Sequence, residues 1–250
     1  MHLTTPHSVE SDVLGKTVAF FAKRDGIDKA LKLLQYTSKL VVAVAGDGSS
    51  KGAAVHKLSV FARNVSQSRK ALRLGKFLAD LKKIRRQAPL STPLGLLEGL
   101  GNSASCVYYF MEQFVWLSKA GVITDKQWQS RISNASVYAE MLGYIASITL
   151  KCLQLSVVLE REVALSADLK RRRAKARHSG AESVDGSENA LLLEEIHALR
   201  RRRDACFMEM VQDLMDSLIA WNDIRGGYRP TVLAVAGLVS AAISANKNWP

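Results

Sequence analysis

The 250-residue chain is poor in the residues that carry most enzyme chemistry, with three cysteines and five histidines. Cys106, Cys152 and Cys206 are odd in number, far apart and without a CxxC pair, so neither a disulfide framework nor a thiolate metal centre is expected, and a reducing compartment is implied. His2, His7, His56, His178 and His197 share no helical spacing and read as surface residues rather than metal ligands. No nucleophile–base set or pair of carboxylates stands out. The stretch 46–52 holds glycines and a lysine but lacks the G-x-x-x-x-G-K-[ST] order that cradles phosphates. No catalytic residue, cofactor or metal is therefore expected, and the chain reads as non-enzymatic. Residues 1–12 carry no basic start and no apolar run, so they do not read as a secretory signal. Residues 248–250 match neither a Ser-Lys-Leu-type import signal nor a retention signal.

Acids are also scarce. Against 35 Lys and Arg there are 23 Asp and Glu, a formal net charge of +12, yet the mean hydropathy is +0.00. The basic residues are gathered at 69–86, 170–177 and 200–203, with long, nearly uncharged intervals between them. Such segregation fits a protein at a membrane boundary better than a uniformly soluble globule.

The first cluster carries most of the information. Between residues 69 and 86 stand Arg69, Lys70, Arg73, Lys76, Lys82, Lys83, Arg85 and Arg86, and Asp80 is the single acid. A solvated helix face usually mixes Glu with Lys at i,i+4; its absence here implies a partner of opposite charge. At about 100° per residue, Leu74, Phe77, Leu78, Leu81 and Ile84 fall within an arc of roughly 120°. Lys76, Lys82, Lys83 and Arg86 spread over the far side, and Arg85 has a stem long enough to snorkel. Cations at about 1 kcal/mol each near an anionic leaflet, together with burial of the five apolar side chains, supply several kcal/mol, enough for reversible membrane attachment. Phe61, Val65 and Leu72 project on nearly the opposite side of the same helix, so one straight helix over about 58–86 cannot present both stripes to one surface. A break is expected near Gly75.

The rest of the chain reads as all-α: a membrane-associated helical protein with amphipathic helices and one or two membrane-spanning or re-entrant helices. Residues 1–134 form an N-terminal helical region. Within it, two helical pieces meet at a turn over 24–26 and end near Val44, a loop covers 46–52, and the basic amphipathic unit ends at Pro89 and Pro93. An aromatic-rich helix over 94–117 closes at Gly121. Residues 135–159 are a first spanning candidate, although Glu140 and Lys151 sit within it and a central charge costs about 2.5 to 3.5 kcal/mol; Lys151 therefore needs a partner. Residues 160–230 read as a basic disordered loop, with 170–177 leading into a very polar run to 188, followed by a helix from about 190 to 223. Residues 231–246, uncharged and at the short limit for a span, are the second candidate, with Lys247 and Trp249 as an interfacial anchor.

Four segments in order, FAKRDGIDK at 21–29, SQSRKALRLGKF at 66–77, YYFMEQFVWLSKAG at 108–121, and GLVS at 237–240 with KNW at 247–249, together resemble the peroxisomal membrane protein 11 (peroxin-11) family in its plant-type form. The resemblance implies an integral peroxisomal membrane protein with both termini in the cytosol. Such a protein inserts an amphipathic helix into the cytosolic leaflet, forms homo-oligomers, elongates the organelle and prepares it for fission by dynamin-related proteins and their membrane adaptors. The residues that would insert are Leu74, Phe77, Leu78, Leu81 and Ile84; Arg69, Lys70, Arg73, Lys76, Lys82, Lys83, Arg85 and Arg86 would meet the headgroups of anionic membrane lipids. No nucleic-acid partner is expected on this reading. One feature fits it poorly: with two spans and cytosolic termini, the basic clusters 170–177 and 200–203 lie in the matrix, against the positive-inside tendency. Two alternatives compete. One is a soluble, basic nucleic-acid-binding protein with 170–177 as its nuclear address. The other is a membrane channel for small metabolites, suggested by Glu140 and Lys151.

Overall fold

The computed structural model describes residues 7–45, 52–87, 89–179 and 186–250. Within them lie eight α-helices and no strand: α1 (His7–Ala22), α2 (Arg24–Ala45), α3 (Ala53–Leu72), α4 (Phe77–Ile84), α5 (Pro93–Lys119), α6 (Lys126–Ser179), α7 (Gly186–Arg225) and α8 (Pro230–Asn248). The expected turn at 24–26 is a single bend at Lys23, whose backbone N–H donates to the Phe20 carbonyl. The expected loop at 46–52 lies outside the described residues apart from Gly52.

Neighbouring helices run in alternating directions. Gly101 meets Ala146 and Gly143 meets Ala104, which sets α5 antiparallel to α6. Lys151 pairs with Asp213 and Arg161 with Glu195, so α7 runs back along α6. Lys247 then pairs with Glu209, turning α8 back along α7 and into the same direction as α6. On the far side α8 packs against α2, where Lys32 donates to Ser240 at 2.6 Å, and just past its end the Trp249 ring lies 5.6 Å from that of Phe20 on α1. The stripe of Ala234, Gly237, Ser240, Ala241 and Ser244 is buried against that contact. A Cβ on Gly237 would stand 2.0 Å from Cδ1 of Tyr36, so only glycine admits the ring.

Several helices turn polar residues inward and large apolar ones outward. On α2, Asp28, Lys32 and Gln35 follow one another at i, i+4 and i+7 and are buried with Ser38, while Leu34, Val41 and Val44 face outward. On α5, Glu112 is buried, whereas Leu96, Val107 and Phe110 are exposed; on α8, Ser240 is fully buried while Val232 and Val235 are exposed. In water this arrangement leaves apolar surface unsatisfied. Beside acyl chains it is the stable one, because the interior must then satisfy its own polar groups. Two helices, within Lys126–Ala174 and Pro230–Asn248, are long and apolar enough to cross a membrane.

One expectation is overturned. Residues 160–179, read as disordered loop, continue α6 as helix, and 186–188 begin α7; only 180–185 lie outside the described residues. The polar sequence orders because α7 supplies partners. Glu162 receives Arg200 and Arg203, both at 2.9 Å, and Leu165, Leu169 and Ile196 close an apolar seam below them. At 1.5 Å per residue, the 54 residues of α6 extend about 80 Å, more than twice a hydrocarbon core of about 30 Å. The same return of α7 answers the need of Lys151, which meets Asp213 at 2.5 Å. Its charge is thereby matched, and it no longer argues for a conducting path.

Candidate functional site

The basic segment 69–86 breaks where its two apolar stripes change phase. Helix α3 stops at Leu72, a turn over 73–76 follows, and Gly75 takes φ +73°, a left-handed conformation that costs other residues about 1–2 kcal/mol. The turn is fastened to the start of α2, where Arg24 Nη1 donates to the Leu74 carbonyl at 3.0 Å and Lys76 pairs with Asp25 at 3.2 Å. Helix α4 then leaves at a new angle against α5, with Phe77 edge-on to Phe110 at 5.5 Å between centroids.

This break divides the eight expected headgroup cations into two groups. Lys82, Lys83, Arg85 and Arg86 are exposed. The other four are turned toward partners within the protein and away from the exposed ridge of α4. Arg69 is buried, with Nε at 3.0 Å from Asp28 and Nη1 at 2.7 Å from Gln35. Lys70 and Arg73 converge on Glu112 at 3.1 and 3.3 Å, and Lys76 is held by Asp25 while lying over the ring of Tyr109.

Charge compensation among these groups is dense. Burial alone would raise the Asp28 carboxyl, yet Arg73, Arg69 and Lys29 together hold it well below the usual carboxylate range. Burial lowers the Lys29 ammonium to about 8, with Asp28 opposing. Arg73 is held above its ordinary range despite its burial, by Tyr108, Glu112 and Asp28.

The five expected inserting residues also divide. Leu78 is 58% exposed, Leu81 47% and Leu74 37%, whereas Phe77 and Ile84 are half-buried. Asp80 is buried on the inner side of α4, where it receives Lys83 Nζ at 2.6 Å. The outward face of α4 therefore carries two apolar side chains, extended by Leu74 from the turn, with four basic residues beside them.

The acids that claim the inner cations escaped the sequence reading. A signal for them existed: Asp28, Lys32 and Gln35 form a polar stripe at helical spacing on α2, and Glu112 is the one acid in the aromatic half of α5, where an unpaired charge is costly.

The profile of the family described as Peroxisomal biogenesis factor 11 matches residues 14–249. Peroxisomal membrane protein 11-3 of Oryza sativa subsp. japonica is 36% identical over 247 residues, covering 97% of this chain and 91% of that protein. Peroxisomal membrane protein 11A of Arabidopsis thaliana is 32% identical over 246 residues, covering 96% of this chain and 94% of its own length. Peroxisomal membrane protein 11-4 of Oryza sativa subsp. indica is 33% identical over 242 residues, with 96% and 98% covered. No solved structure matches the chain. Matched almost end to end by the family profile and by these relatives, the chain belongs to the peroxisomal biogenesis factor 11 family, which implies a role in peroxisome biogenesis.

Proposed function

We propose that the protein remodels the peroxisomal membrane by seating α4 in one leaflet as a wedge. The observation that carries this reading is the exposed ridge of Leu74, Leu78 and Leu81 beside the exposed cations Lys82, Lys83, Arg85 and Arg86. Burying a leucine fully is worth about 1.5–3 kcal/mol, and a cation near an anionic surface adds about 1 kcal/mol. Three partly exposed leucines and four cations give a modest affinity, less than an isolated peptide would need. The apolar helices α6 and α8 supply the anchorage, so the energy of α4 goes into spreading headgroups on one side of the bilayer, which favours curvature. The names of the relatives support a peroxisomal membrane as the place of action. On this reading α4 acts from the cytosol, both termini lie there, and homo-oligomers elongate the organelle before dynamin-related proteins and their adaptors divide it.

The test uses the full chain, because the inner half of the basic segment is held by α2 and α5. Reconstituted into vesicles containing anionic lipid, the wild type is expected to draw out tubules, and Leu78→Glu with Leu81→Glu to abolish them while helicity stays intact. Undiminished tubulation by that double variant would sink the mechanism.

A further inference from the structure

Between α2, α3, α5, α6 and α7 the bundle holds a cavity of about 510 Å³, partly open to the outside and walled by ionic groups. Four cations on its wall, Lys29, Arg69, Lys70 and Arg73, share only two carboxylates, Asp28 and Glu112. Lys39 and Lys119 also line it, and neither has an ion pair among the described residues. Most of the remaining acids are already engaged: Asp216 by Lys32, Asp213 by Lys151, and Glu140 by the Tyr144 hydroxyl. Asp223 lines the cavity near Lys39, Lys70 and Lys119. Nε of Arg73 is buried and makes no hydrogen bond, with Oδ1 of Asp28 3.4 Å away.

The wall thus carries more positive than negative charge, with the exposed Lys39 and Lys119 unpaired beside the crowded Lys70 and Arg73. An anion carrying several oxygens would relieve Lys39, Lys119, Lys70 and Arg73 together. Ammonium groups and a guanidinium fork suit phosphate best, the Tyr108 and Tyr109 side chains add polar atoms, and the volume lies within the range of small-molecule sites.

We propose that this cavity binds a small phosphorylated ligand, either a soluble phosphate ester or the phosphorylated headgroup of a lipid, through Lys39, Lys70, Arg73 and Lys119. The site is separate from α4 and does not depend on its insertion.

The experiment titrates purified full-length protein in neutral detergent by calorimetry, with inorganic pyrophosphate in one arm and a short-chain phosphatidylinositol bisphosphate in the other. Saturable binding is expected, weakened at least about tenfold, or about 1.4 kcal/mol, by Lys39→Gln with Lys119→Gln and tightened by Asp223→Asn. Removing two unpaired cations should leave the fold at least as stable, so a lower melting temperature of the ligand-free lysine variant counts against the proposal. Binding of pyrophosphate identifies a soluble ligand, and binding of the lipid alone identifies a headgroup. Lys82→Gln with Lys83→Gln should leave both titrations unchanged. No saturable binding of either probe, or loss in the α4 variant while the cavity variant still binds, overturns the proposal.

Discussion

At the scale of residues, the protein holds its cations in two states: exposed on α4, and crowded against α2. The second group should be visible in the pH dependence of stability. Lys29 titrates near 8 in the folded protein, against about 10.4 in an unfolded chain. Between these values the unfolded chain keeps a proton that the folded protein has released, so stability rises with pH across that window and is flat below it. Thermal unfolding in detergent should show this rise, and Lys29→Gln should flatten it; an unchanged alkaline slope in the variant would place the titration elsewhere. Tyr36, pushed up to about 12 by burial, opposes this rise only from about pH 10, where the unfolded phenol ionises first. Single residues were legible in the sequence only where one chemical signal sufficed. The missing acids of 69–86 pointed to an anionic partner, and Gly75 marked the break. That Arg69 and Arg73 spend their charge internally was not legible, because their partners stand 41 and 39 residues away on Asp28 and Glu112.

At the scale of elements, α8 is seated by its small residues rather than by bulky apolar ones. Gly237 lets the Tyr36 ring lie against the helix backbone, and Ser240 meets Lys32 beside it. Gly237→Val should force α8 away from α2, costing about 1–3 kcal/mol as overpacking. It should also weaken a cysteine cross-link engineered between the two helices; a melting temperature and cross-linking yield equal to wild type would refute the tight seat. The positions of helices were largely readable. Periodicity located α1 to α5 and the apolar halves of α6 and α8, since an apolar stripe reports a helix whatever solvent covers it. The continuation of α6 through 160–179 was not readable. A polar helix is stable here only through α7, and Glu162 meeting Arg200 and Arg203 is a pairing that no local pattern announces.

At the scale of the whole molecule, the described bundle is extended and outwardly apolar. Its accessible surface is 16336 Å², whereas a compact soluble monomer of 27.4 kDa presents about 11,000 Å². The contact between Phe20 and Trp249 has a consequence for how the chain threads the bilayer. Two touching rings lie on one side of a membrane, so the passages between them must be even in number. Helices α6 and α8 point the same way and α7 returns between them; if both apolar helices cross, those three are an odd count, and α5 is the neighbouring helix that makes four. The far side then keeps only the short turns at 120–125 and 226–229, while the basic far end of α6 comes back to the side of both chain ends. A four-pass chain with cytosolic ends would remove the matrix-facing clusters that a two-pass chain requires and would obey the positive-inside tendency. In intact organelles, tags at both ends and at residue 183 should be digested together and a tag at Gly121 protected; a protected tag at 183 would restore the two-pass arrangement.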